Sequence, residues 1–281
     1  MTQVETLFDP RTSTLTHVVW DPETRDAVVI DPVLDYDPLR VAVFEESIDR
    51  LSAFVGQHAL KVWWILETHA HADHLSAAAR LVDRFGARQA AGAGMREVAE
   101  WFGPRFGVSG DGAFDRLLAQ GESLEAGSIR VEAIATPGHT PACTTWLIDG
   151  RLFTGDALFL PDFGTGRCDF PGGSADALWR SIHGLYARFA DDTPFYVGHD
   201  YQPGGRELRW TATLGESKRG NVHCRLDTPR DEFVAWRTGR DQTLKLPGLL
   251  FPAIQVNIQG GRLPDTDALG RVFLRFPVGL F

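Results

Sequence analysis

One short stretch constrains this chain more than any other. The apolar run at 62–66 leads directly into Glu67-Thr68-His69-Ala70-His71-Ala72-Asp73-His74, and an alanine-rich run follows over 75–85. A short, continuously apolar run reads as a strand buried on both faces, and the run after the polar cluster reads as a helix. Three imidazoles and a carboxylate therefore sit on a strand-to-helix loop, where alternate side chains converge on one point. A lone histidine here would read as a solvated residue at a helix N-terminus, with Asp73 beside the first-turn amides. Four such groups within six residues instead favour a centre for a borderline metal ion, which takes imidazole and carboxylate ligands.

Three further polar residues follow apolar runs at turn signals: His139 in Thr136-Pro137-Gly138-His139-Thr140, Asp156 in Thr154-Gly155-Asp156, and His199 in Gly198-His199-Asp200. Singly, each fits ordinary turn chemistry. Together, at the strand ends of a layered fold, they can share one rigid cleft. The surrounding pattern supplies the layers. Strands are expected at 4–8, 15–20, 27–30, 62–66, 129–135, 144–148, 152–154 and 195–197, and helices at 44–58, 75–85 and 175–189. The stretch 221–281 is rich in proline and weakly periodic, yet carries Phe251, Ile254, Val256 and Ile258. It is expected to be an irregular extension packed on a core formed by 1–220.

The series THAHADH, TPGHT, TGD and GHD resembles the metallo-β-lactamase superfamily, which implies a four-layer αββα sandwich, an α/β architecture. In that superfamily His69, His71 and His139 would form one metal site and Asp73, His74 and His199 a second, with Asp156 able to bridge. Gly166-Arg167-Cys168-Asp169-Phe170-Pro171-Gly172-Gly173, His199-Asp200-Tyr201, Lys218-Arg219-Gly220-Asn221, Gln255-Val256-Asn257-Ile258 and Leu263-Pro264 are similar to the persulfide dioxygenases, especially their longer bacterial members.

That resemblance implies one Fe(II) per chain, held by His69, His139 and Asp156, with His71, Asp73, His74 and His199 orienting ligands and water around it. It also implies glutathione persulfide and O2 as substrates, giving sulfite and glutathione. The glutathione carboxylates call for cationic forks, for which Arg167, Lys218 and Arg219 are the candidates, with Tyr201 as a hydroxyl donor. Arg167 could equally pair with Asp169. The rival is a binuclear hydrolase of the glyoxalase II type, with two Zn(II) in the same ligand set.

Composition narrows the rest. Among 281 residues, 28 basic against 37 acidic give a net charge of −9, and the longest basic run is Lys218-Arg219, which argues against nucleic acid as a partner. No apolar run approaches the roughly 20 residues of a membrane span, and the opening MTQVETLFDP lacks the basic and apolar regions of an export signal. Cys143, Cys168 and Cys224 are odd in number and widely spaced, so neither a disulfide framework nor a CxxC zinc site is expected, and a reducing cytoplasm is. All three are read as core residues, with no sulfur relay through Cys168. The aromatic residues of the extension are consistent with a homodimer.

Overall fold

The computed structural model describes residues 1–279. The chain opens with the antiparallel strands β1 (Gln3–Asp9), β2 (Thr14–Trp20) and β3 (Asp26–Ile30), then β4 (Val33–Asp37) and β5 (Ala42–Phe44), helix α1 (Glu46–Gln57) and β6 (Lys61–Glu67). Next come β7 (Leu75–Ser76), α2 (Ala78–Phe85), β8 (Arg88–Gly92), α3 (Met95–Phe106) and β9 (Arg116–Leu118). These build a six-stranded sheet in the order β1-β2-β3-β6-β8-β9, parallel from β3 onward, and a small sheet β5-β4-β7.

The second half begins with β10 (Ser123–Ala126), β11 (Ile129–Ala135), β12 (Thr144–Ile148) and β13 (Arg151–Phe153). It continues through α4 (Ala175–Arg188), β14 (Pro194–Tyr196), β15 (Thr211–Thr213), α5 (Leu214–Gly220), α6 (Arg230–Asp241) and α7 (Leu250–Asn257). Its six strands pair in chain order, antiparallel except for the parallel β13–β14 pair that follows the α4 crossover.

Strand alternation sorts side chains between layers. Val28 and Ile30 of β3 and Trp64 and Leu66 of β6 face Val131, Trp146 and Phe153 of the second sheet. Val29 and Ile65 point the other way, onto Ile48 and Leu51 of α1, Leu81 of α2 and Val256 of α7. Beneath the second sheet, Leu178 and Ile182 of α4 meet Phe195 and Phe233. The result is helix, sheet, sheet, helix. Among the described residues no helix is long and apolar enough to cross a membrane.

Two expectations change. The helix after the histidine cluster starts at Ala78, because Leu75 and Ser76 pair with Leu34 and Val33 as a strand first. The segment beyond residue 220 is not irregular throughout, since two of its prolines stand at the starts of helices rather than breaking them. Pro229 immediately precedes α6, and Pro252 lies in the first turn of α7, where an amide N–H has no partner to lose.

Candidate metal centre

All the polar clusters emerge at one edge of the sandwich, just beyond the carboxyl ends of strands. The loop 68–74 follows β6, His139 lies on the turn leaving β11, Asp156 follows β13, and His199 follows β14. The parallel β13–β14 pairing brings Asp156 and His199 side by side, and Gly198 N–H donates to the Gly155 carbonyl. Gly155 has φ +50°, and a Cβ there would collide with the Thr68 side chain, so only glycine lets this turn close on the histidine loop.

The donor atoms fall into three sets, each with all its atoms within 4.8 Å of one another: His69, His139 and Asp156; His71, Asp73, His74 and His199; and Asp31, Glu67 and His71. Asp156 Oδ2 lies 3.9 Å from His69 Nε2 and 3.7 Å from His139 Nε2, while its Oδ1 lies 3.4 Å from His199 Nε2. His199 Nε2 is also 3.3 Å from Asp73 Oδ2. His69, His71, His74, His139, Asp156 and His199 are all buried, and Asp73 is half-buried.

The hydrogen bonds on the far side of each ring decide what faces the centre. The Asp31 carboxylate can only accept, and it takes the Thr68 hydroxyl proton at 2.7 Å. The Thr68 oxygen, 3.0 Å from His69 Nδ1, must then accept from that nitrogen. His69 therefore carries its proton on Nδ1 and presents a lone pair from Nε2. His139 Nδ1 donates to the Arg167 carbonyl at 2.6 Å, with the same consequence. His199 Nδ1 donates to the Ser13 carbonyl at 3.3 Å, while burial opposes its charging and Asp156 and Asp73 beside its Nε2 raise it.

His69 Nε2, His74 Nε2, His199 Nε2 and Asp156 Oδ1 are buried with no hydrogen-bond partner. Buried ligand-type atoms that converge without a donor suit a cation or ordered water. The His69–His139–Asp156 set, with one such atom in His69 Nε2, therefore fits a metal ion, and the neighbouring His74 and His199 side fits water or a second ion. Burial and the neighbouring His71 and His139 hold His69 well below the usual histidine range, which keeps it a neutral ligand.

His71 behaves differently. Its Nε2 lies 3.0 Å from Asp31 Oδ1 and 3.1 Å from Glu67 Oε2. Burial opposes its charging, but the two carboxylates prevail and hold it well above the usual range. Asp31 is lowered despite burial, chiefly by His71, whereas burial raises Glu67. Sequence reasoning missed Asp31, whose only mark is a turn-like Asp-Pro, and it had no signal for Glu67 or Thr68.

The proposed substrate residues lie in different settings. Arg167 borders a small pocket shared with Ala72, His139, Phe170, Leu246 and Leu250, but its guanidinium forks onto Asp169 at 2.6 Å and donates to the Lys245 carbonyl. Tyr201 stacks on the His199 ring, 5.5 Å between centroids. Lys218 and Arg219 both bind Asp191, and no interaction ties them to the histidines among the described residues. The three cysteines are free and buried, and burial raises every thiol, Cys143 and Cys224 to about 12. Cys168 N–H donates to Asp241 of α6, which steadies the loop carrying the Arg167 carbonyl.

Comparison with known proteins agrees with this geometry. The metallo-β-lactamase superfamily model matches residues 10–213. The chain is 43% identical to a probable metallo-hydrolase of Burkholderia pseudomallei over 98% of both chains. It is 44% identical to a β-lactamase hydrolase-like protein of Xylella fastidiosa, and there it spans 64% of that protein's length. Mitochondrial persulfide dioxygenase ETHE1 of Mus musculus is 32% identical over 91% of this chain and 87% of its own. The crystal structure of ETHE1 from Myxococcus xanthus superimposes with a TM-score of 0.76 at 30% identity, covering 92% of this chain and all of that one.

Proposed function

The chain belongs to the metallo-β-lactamase superfamily, and from that premise we propose that it is a mononuclear Fe(II) persulfide dioxygenase acting on glutathione persulfide. The observation that carries the reading is that His69, His139 and Asp156 form a donor set that does not include His71, although the His69 and His71 rings lie 4.0 Å apart. A three-imidazole site would need a His71 nitrogen given to the His69–His139 set, but its Nε2 lies within ion-pair distance of two carboxylates, 3.0 Å from Asp31 and 3.1 Å from Glu67. What remains is two neutral imidazoles and one carboxylate, the set that suits non-haem Fe(II) and leaves positions open for two further ligands. Iron bound there would supply the redox centre at which O2 and the outer persulfide sulfur react.

The balanced change is glutathione persulfide plus O2 and water to glutathione, sulfite and two protons. The outer sulfur is oxidised, O2 is reduced, and the S–S bond breaks. Asp31 through Thr68, and the Arg167 carbonyl, fix the imidazole protons away from the centre. His199 and Asp73 line the side towards which Asp156 Oδ1 points, and they are placed to orient water. Phe170, Leu246 and Leu250 exclude bulk water beside His139, and Arg167 with Asp169 gives that pocket a charged rim for the tripeptide. Free, buried cysteines accord with a reducing, cytoplasmic setting.

One observation favours the second reading, a binuclear thioester hydrolase of the glyoxalase II type. Asp156 points one oxygen at each donor set, as a bridging carboxylate would, and the Burkholderia and Xylella relatives carry hydrolase names. The deciding experiment is oxygen uptake by Fe(II)-loaded protein given glutathione persulfide, with sulfite measured in the same vessel. Uptake matched by sulfite is expected. Iron-loaded protein that takes up no oxygen, while zinc-loaded protein cleaves S-lactoylglutathione, overturns the reading.

A further inference from the structure

The loop 68–74 belongs to no sheet or helix, so its buried backbone groups need partners from elsewhere. Two of them, the His71 and His74 carbonyls, both accept from Asn257 Nδ2, each at 2.8 Å. Asn257 Oδ1 accepts from Ser76 N–H, also at 2.8 Å. The amide orientation is unambiguous, because turned over it would set its oxygen against two carbonyl oxygens. Asn257 is buried and ends α7, more than 180 residues beyond the loop it holds.

The loop's alternation reinforces the contact. His69 and His71 face the donor clusters, while the intervening Ala70 and Ala72 bury their methyls among Leu250, Ile254 and Ile258 of α7 and the residue after it. On its other face α7 sets Ala253 and Val256 against Ala77, Ala78 and Leu81. Just after α7, Gly261 at φ +81° passes so near Ser76 that a Cβ would lie 2.8 Å from its carbonyl oxygen.

We propose that α7 is a clamp on the metal-binding loop and that Asn257 is its positioning residue, setting the spacing of His69, His71, Asp73 and His74 through backbone contacts. The inference needs only that these histidines hold a metal. It stands whether the reaction is dioxygenation or hydrolysis.

The test is Co(II) titration of the metal-free full-length chain against a competing chelator, with the visible absorption of bound Co(II) as a second readout. Asn257→Leu keeps the branch at Cγ, at a larger volume, but removes all three hydrogen bonds, and Asn257→Ser keeps one hydroxyl. Val256→Ala, in the same helix, loosens core packing without touching the loop. Asn257→Leu is expected to weaken Co(II) binding roughly 10- to 100-fold, as loss of a ligand-orienting partner does. It should also change the absorption spectrum, with Asn257→Ser in between and Val256→Ala binding Co(II) as the unmodified chain does despite a lower melting temperature. The proposal is overturned if Asn257→Leu keeps the original affinity and spectrum, or if Val256→Ala loses as much. Should the leucine variant not fold, the serine variant is read against Val256→Ala by the same criteria.

Discussion

The substitution Asp31→Asn tests whether an accept-only group behind Thr68 prepares His69 for a metal. Asp31 receives the Thr68 amide and hydroxyl, each at 2.7 Å, and lies 3.0 Å from His71 Nε2. An amide carbonyl in place of Oδ1 would keep the Thr68 amide and the His71 contact but would turn an NH2 towards the Thr68 hydroxyl. The opposite orientation would set that NH2 against both of the other partners, so the first is preferred. Thr68 must then accept from the introduced NH2, and its own proton turns to His69 Nδ1. That drives the His69 proton onto Nε2, where it blocks the ligand lone pair.

The carboxylate's charge no longer strengthens the bonds with Thr68 and His71, a loss of about 1.5–3 kcal/mol, the worth of one charge-assisted hydrogen bond. With an unfolding entropy of roughly 2.1 cal/mol/K per residue, a chain of this length should melt about 3–5 °C lower. The effect on the metal should be larger in proportion, roughly 10- to 100-fold in affinity. Differential scanning calorimetry of the metal-free variant and Co(II) competition titration measure the two. An affinity within about twofold of the unmodified chain, far short of that loss, would refute the relay from Asp31 through Thr68.

Further outcomes follow from the same geometry. Asp156→Ala should abolish tight metal binding, because Asp156 alone supplies anionic oxygen to the His69–His139 set, whereas His71→Ala should keep the metal and lose turnover; metal analysis showing the reverse refutes the ligand assignment. Metal-free stability should depend on pH through the His71–Asp31 pair. The raised His71 stabilises the fold fully below pH 6.5 and loses that contribution as pH rises through its folded value; the lowered Asp31 contributes above pH 3.8 and loses it as pH falls through its own. His71→Ala should therefore flatten the alkaline limb of a denaturation-midpoint profile, and an unchanged limb counts against the pairing. Arg167→Ala should raise KM for glutathione persulfide more than it lowers kcat, and an unchanged KM removes Arg167 from the pocket. Cys168→Ser should keep kcat within about twofold, since a buried thiol with a raised pKa is a poor nucleophile, and a collapse in turnover would point to a sulfur relay.

What was legible in the sequence and what was hidden have one physical origin. His69, His71, Asp73 and His74 are close in sequence because a single loop presents them, and His139, Asp156 and His199 each follow a strand whose apolar run is visible. The groups that prepare those ligands leave no such mark. Asp31 looks like the start of an ordinary Asp-Pro turn, and it acts on His69 only because β3 pairs parallel with β6 and sets the ends of both strands side by side. The partners of His139 and His199 are backbone carbonyls, at Arg167 and Ser13, which any residue type would supply. Asn257 lies in a stretch whose prolines read as irregular chain, although in the folded protein Pro252 occupies the one helical turn that tolerates it. A donor set can therefore be read from side-chain types. The state of each donor is decided by what accepts a proton behind it, and that is a property of the pairing of distant strands and helices.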